Sequence, residues 1–217
     1  MADVNSTGTK RTRLSPARRR AQLIDLGVQM LSERSLEQIS VDEIADEAGV
    51  SRSLLFHYFS SKHDFHVEIV RHISRDMLDR TAPDESLDPI AMLRGTIVAY
   101  VDYVTERRDT YVSMLRGAGS SDPDMTAVFE QTRTAMVDRT AAHLPLLGID
   151  VTPAIHLAVR GWIAFVEDTT IVWLRDSLIT REEFVELAVG ALPAVVAVAG
   201  ATVGVAPSSG DAMSGSS

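Results

Sequence analysis

Apolar residues along this chain recur at intervals of three and four, and no segment alternates polar with apolar for long. No Asn-Gly or Asp-Gly hairpin turn appears either, so the pattern predicts an all-α protein. Helix starts are legible. Ser15-Pro16, Asp88-Pro89, Asp122-Pro123 and Thr152-Pro153 each place a capping side chain before a proline suited to the first helical position. Ser40 with Glu43 and Thr180 with Glu183 have the spacing of capping boxes. These signals predict a first helix from Pro16 to about Arg34, with Leu23, Ile24, Gly27, Met30 and Leu31 on one face. Short helices follow near Val41–Ala48, Arg52–Tyr58 and Thr110–Arg116. Longer ones are predicted over Ser61–Thr81, Pro89–Glu106, Pro123–His143, Pro153–Asp176 and Arg181–Ala199, the last bent or interrupted at Pro193.

The run from Leu187 to Ala206 is twenty residues without a charge, long enough to span a bilayer. It is mostly Ala, Val and Gly, is interrupted by Gly190, Pro193, Gly200 and Gly204, and lacks flanking basic or aromatic residues. It reads better as a small-residue packing helix than as a membrane span. The N-terminus has no apolar stretch of the kind a secretory leader needs. The absence of cysteine excludes disulfides, a thiol nucleophile, iron–sulfur clusters and cysteine zinc sites.

The 217 residues carry a net charge of −9, a balance that ordinarily argues against nucleic acid. Its distribution reverses the inference. Residues 1–20 hold six basic side chains and one acidic, a net of +5. Residues 1–62 sum to +1, and 63–217 to −10. A basic flexible arm (1–14) and a near-neutral module (15–62) therefore precede an acidic body (63–202) and a polar tail (203–217) expected to be disordered.

Function concentrates in Ser40–Ser60, SVDEIADEAGVSRSLLFHYFS. Ile44, Ala45 and Ala48 mark one short amphipathic helix, Gly49 can reverse the chain, and Ser51 caps a second helix whose Leu55 and Phe59 turn back to the core. Two short helices around a glycine turn form a helix-turn-helix, which places its second helix in the DNA major groove. An ordinary helical hairpin has the same spacing. The basic arm, the Arg52/Ser53/His57/Tyr58 face and Lys62 at the next helix start favour the DNA reading.

Over about residues 15–65 the chain resembles the tetracycline-repressor (TetR) family of bacterial transcription regulators, with Gly49-Val50-Ser51, Tyr58-Phe59 and Ser61-Lys62 in register. Beyond them, only Arg160–Glu167 (RGWIAFVE) and the helix that follows look similar. The resemblance implies a non-enzymatic, cytoplasmic homodimer that binds a palindromic operator and holds a small-molecule effector in its acidic body. On that basis Arg52 and Ser53 are expected at base edges, and His57 at a base or phosphate. Tyr58 and Lys62 match phosphate-holding positions, and Ser40 and Ser51 belong to the same DNA-contacting set. Arg11 and Arg13 are expected either to follow the minor groove or to form part of a solvated tail. Leu54 stands where a small hydroxylated residue is frequent, so it either meets a thymine methyl or packs inward. Phe56 replaces a frequent tyrosine and removes one phosphate hydrogen bond.

In the acidic body, Pro153–Asp176 is apolar nearly all round, which points to burial on more than one side. Trp173, Phe184, Leu187, Ala191 and Val195 are the expected dimer face. Five of the eight methionines and three of the four tyrosines fall between residues 77 and 136, a composition suited either to plain core or to an adaptable apolar cavity. Tyr103, Met114, Phe129, Trp162 and Phe165 are the expected ligand-binding residues. Glu167 or Asp168 is either a polar anchor or the partner of Arg133 or Arg139.

His63-x-x-His66 and Glu68-x-x-x-His72 have helical metal-ligand spacings, but their side chains point to different faces. No metal or cofactor is expected. A helical carrier or metal sensor that does not bind DNA is the alternative function.

Overall fold

The computed structural model describes residues 14–116 and 122–203. Among them the regular structure is helical: α1 (Pro16–Met30), α2 (Val41–Glu47), α3 (Arg52–Tyr58), α4 (Lys62–Arg80), α5 (Pro89–Glu106), α6 (Arg108–Arg116), α7 (Pro123–His143), α8 (Pro153–Asp176) and α9 (Arg181–Val203). The arm that holds Arg11 and Arg13, and the tail beyond 203, lie outside the described residues. The chain divides into two compact units between Ile69 and Val70, inside α4.

All four proline-first caps form. Ser15 accepts from Arg18 N, Asp88 from Ile90 N and Ala91 N, Asp122 from Asp124 N and Met125 N, and Thr152 from Ile155 N. The Thr180–Glu183 box closes reciprocally, at 2.8 and 3.2 Å. At Ser40 the hydroxyl caps Asp42 N, while Glu43 turns away to pair with Arg34 at 3.0 Å. A cation from the turn after α1 outcompetes the local amide for that carboxylate.

The first unit is built on α1, α2, α3 and the opening turns of α4. Leu23, Ile24, Ile39, Ile44, Leu55, Phe59, Phe65 and Ile69 are buried in it, with Phe59 and Phe65 edge to face at 4.9 Å. In the second unit α8 packs against α7 and α9, and α9 also packs against α5. Its core joins Val101 and Val104 of α5, Val159, Trp162 and Val166 of α8, and Phe184, Ala188 and Leu192 of α9.

Two expectations change. α1 stops at Met30, where amide bonds tighten from Leu31 N–Gly27 O to Ser32 N–Gln29 O and Glu33 N–Met30 O, a turn that no glycine announces. α9 is not interrupted at Pro193 and runs on to Val203, with Leu192 and Val196 on either side of the proline buried in the core. By length and composition α9 could cross a bilayer, yet Phe184, Val185, Ala188, Val189, Leu192 and Val196 give it a buried face inside the unit.

Candidate functional site: a recognition helix and an apolar cavity

The turn between α2 and α3 follows from Gly49, the first residue beyond the helix cap. Its φ of 63° is the left-handed conformation that glycine adopts without steric cost. Gly49 N donates to Asp46 O at 3.0 Å and Val50 N to Ala45 O at 2.9 Å, which satisfies two terminal carbonyls in a Schellman motif. Ser51 then caps α3 through Leu54 N at 3.2 Å and lies 2.9 Å from the Ser53 hydroxyl.

Burial of Leu55 and Phe59 fixes which side of α3 faces outward. Ser51, Arg52, Ser53, Leu54 and His57 are exposed, and Tyr58 is half-buried with its ring 5.5 Å from that of His57. Leu54 thus lies on the outer face. Arg52 is held from two sides: Asp42 Oδ2 is 2.9 Å from its Nη1, and the Phe56 ring lies 5.5 Å beneath its guanidinium. Lys62 Nζ donates to Glu37 O at 3.1 Å. Sequence reasoning missed Asp42 as the partner of Arg52, because the pair joins two helices across the turn.

The second unit encloses a cavity of about 190 Å³ with an overwhelmingly apolar wall. Tyr103, Met114, Phe129, Trp162 and Glu167 line it, and so do Met77, Met92 and Met136. Phe165 does not; it is 38% exposed. Glu167 is already engaged, since Arg133 Nε and Nη2 donate to its Oε2 at 2.9 and 2.7 Å. Glu130 bridges Arg133 and Arg160 beside it.

A polar chain crosses one wall. Tyr111 and Tyr100 share a hydroxyl bond of 2.6 Å, Tyr100 donates to Thr170 at 3.2 Å, and Thr170 donates to Val166 O at 2.7 Å. Burial pushes the Tyr100 phenol up to about 12, so the chain stays neutral. Tyr103 donates to Ile73 O at 3.1 Å, and its ring has Arg107 at 4.4 Å and Arg80 at 5.2 Å. Desolvation raises its phenol well above the ordinary value.

The expected dimer residues divide by burial. Phe184 is 2% exposed and stacks on Trp173 at 4.9 Å, so it belongs to the core of the second unit. Ala191 and Val195 are half-buried against that core. Leu187 is 46% exposed. The outward stripe on α9 is shifted in phase and runs through Leu187, Gly190, Ala194 and Val198; on α8 it runs through Leu157, Gly161, Ala164 and Phe165.

Comparison with known proteins matches these two units to two family descriptions. Residues 23–69 match "Bacterial regulatory proteins, tetR family", and residues 89–194 match "Tetracyclin repressor-like, C-terminal domain". A crystal structure of a TetR-family transcriptional regulator from Streptomyces coelicolor is 30% identical, with a TM-score of 0.74, covering 87% of this chain and 85% of that one. The chain belongs to the TetR family. It is therefore a helix-turn-helix, DNA-binding transcriptional regulator and not an enzyme. The TetR relative FasR, an HTH-type transcriptional activator of Mycolicibacterium smegmatis, is 27% identical over 86% of this chain and 92% of its own length. FadR from Bacillus subtilis, solved with stearoyl-CoA, shares the TetR fold at a TM-score of 0.61 and 18% identity, covering 81% of this chain and 97% of FadR.

Two of the spaced metal-ligand candidates in this TetR-family chain have other work. His66 is buried with Nε2 3.3 Å from Ile39 O, where the imidazole N–H donates. Glu68 receives Arg20 at 2.5 Å.

Proposed function

We propose that the chain acts as a homodimeric repressor that reads a palindromic operator through α3 and is released by a small, largely apolar effector. The residues up to Ile69 form the reader, and the following unit binds effector and partner. The observation that carries the reading is the outward face of α3, where a preoriented Arg52 shares the exposed surface with Ser53, Leu54 and His57 while Leu55 turns inward. Arg52 can bridge guanine O6 and N7, a contact worth about 1–3 kcal/mol of discrimination. Ser53, Leu54 and His57 adjoin it. Tyr58, Lys62, Ser40 and Ser51 position the phosphate backbone, which fixes register without reading sequence.

A single α3 reads one half-site, so a two-fold dimer supplies the second about 34 Å away. The exposed apolar stripes of α8 and α9 supply a surface for that dimer. The cavity suits an apolar effector, and FadR, of the same fold, was solved in complex with stearoyl-CoA. Effector binding favours the dimer state whose recognition helices misfit adjacent grooves, and operator affinity falls by the coupling free energy. α4 belongs to both units and carries the change. FasR is named an activator, and release by the effector is the sense proposed for this chain. Acting on the chromosome places the protein in the cytoplasm.

Selection of bound duplexes from random DNA supplies the operator, and fluorescence anisotropy then tests the roles. Arg52→Ala should cost about 1–3 kcal/mol on the selected site and relax preference at one position. Lys62→Ala should weaken all duplexes alike and lower the salt slope by about one. If neither substitution changes affinity for any duplex, α3 is not the reader.

A further inference from the structure

Three arginines line the cavity, and their partners differ. Arg133 is neutralised by Glu167 and Glu130, and Arg107 by Asp76 and Glu106. Arg139 of α7 is half-buried, and no carboxylate among the described residues pairs with it. Its Nη1 donates to Leu78 O at 2.8 Å and its Nη2 to the Thr81 hydroxyl at 2.9 Å, which leaves three of its donors without a described partner. Both acceptors sit at the C-terminal end of α4, where the helix dipole offsets a cation only in part. Thr81 passes its own proton to Met77 O at 2.8 Å, so its hydroxyl is committed as an acceptor toward Arg139. Burial lowers the pKa of this guanidinium, but no protein site reaches the range in which arginine gives up its proton. A full positive charge therefore remains on the wall of an apolar chamber.

We propose that Arg139 anchors a single carboxylate on the effector, with the apolar body of that molecule in the cavity. This rests on the reading of the cavity as the effector site. One uncompensated cation matches one negative charge. A doubly charged phosphate would leave an unpaired charge in apolar surroundings, which costs more than it returns. The guanidinium fork can grip both carboxylate oxygens. It also caps α4, so a bound carboxylate competes for donors at the end of the helix that continues from the reader.

The test is competition, on the full chain near pH 8, for the neutral apolar fluorophore N-phenyl-1-naphthylamine. Dodecanoate should displace it on the order of tenfold more strongly than 1-dodecanol or methyl dodecanoate. Arg139→Gln should abolish that advantage. Arg139→Lys should keep part of it, as a charge without the fork. Circular dichroism establishes that both variants fold, and if Arg139→Gln does not, the Arg139→Lys variant decides. Equal displacement by acid and alcohol, or an undiminished advantage in the folded variants, overturns the anchor while fluorophore binding still upholds the cavity. If neither the fluorophore nor any of the three compounds binds, the effector-site reading falls, and this inference with it.

Discussion

At the scale of single residues, what the sequence revealed depended on whether a role was local or relational. Arg52 and His57 follow from position in a seven-residue helix and Ser51 from capping it, and all three are exposed. Glu167 was open between anchor and ion pair, because choosing Arg133 over Arg139 requires knowing where α7 and α8 meet. His66 shows the same dependence. Its spacing suggested a metal ligand, whereas burial makes it a neutral donor to Ile39 O. Desolvation is the largest influence and holds the imidazole below its ordinary 6.5, against the opposing bond to Ile39; Lys62 and His63 also lower it and Glu37 raises it. Well above pH 6.5 the group is neutral both folded and unfolded, and it contributes no pH dependence. Below that, the unfolded chain takes up the proton first, so stability falls with pH until the folded value is reached. His66→Gln should therefore flatten the loss of stability on acidification, by at most ~1.4 kcal/mol per pH unit. Urea midpoints measured from about pH 8 down to about pH 5 report the difference; parallel curves for the two proteins would assign the pH dependence to other groups.

At the scale of elements, starts were legible and contacts were not. A proline after Ser, Asp or Thr defines a first turn by covalent geometry alone, and all four such starts are where the sequence places them. The approach of α1 to α4 has no such signal. Gly27 looks like a weak point in a helix, yet a Cβ there would lie 2.4 Å from Ile69 Cδ1, 2.9 Å from Ile69 Cγ1 and 3.2 Å from Phe65 Cζ. Both neighbours are wholly buried and have little room to move. Gly27→Ala gains about 1 kcal/mol of helix propensity and costs about 1–3 kcal/mol in overpacking. The expected net is a loss on the order of 1 kcal/mol in urea denaturation. Gly95 has nothing within 4 Å of the same added atom, so Gly95→Ala should instead stabilise by up to about 1 kcal/mol. Stabilisation by both substitutions would mean that the α1–α4 contact is looser than its distances.

At the scale of the whole molecule, apolar content alone did not say which face of a helix was spare. α8 and α9 are apolar on nearly every side, so sequence periodicity assigned Phe184 outward when it is a core residue. Packing settles the phase. What remains in solvent includes Leu157 at 69%, Leu187 at 46% and Val198 at 67%, accompanied by Gly161, Gly190 and Ala194. Such a surface on two helices that pack together is costly to leave wet, and its small residues permit close helix approach. Leu157→Glu combined with Leu187→Glu puts charge on two exposed positions of the proposed dimer face, so each chain should keep its helical content. Sedimentation should then report a monomer in place of the proposed dimer. Affinity for the full palindrome should fall to that of one half-site, because the second reader is no longer tethered. Phe184→Ala makes the contrast: it empties a core position and should cost about 3–5 kcal/mol of stability. A double-glutamate variant that remains dimeric would place the subunit contact on some other surface, and the spacing of the two readers would have to be set from there.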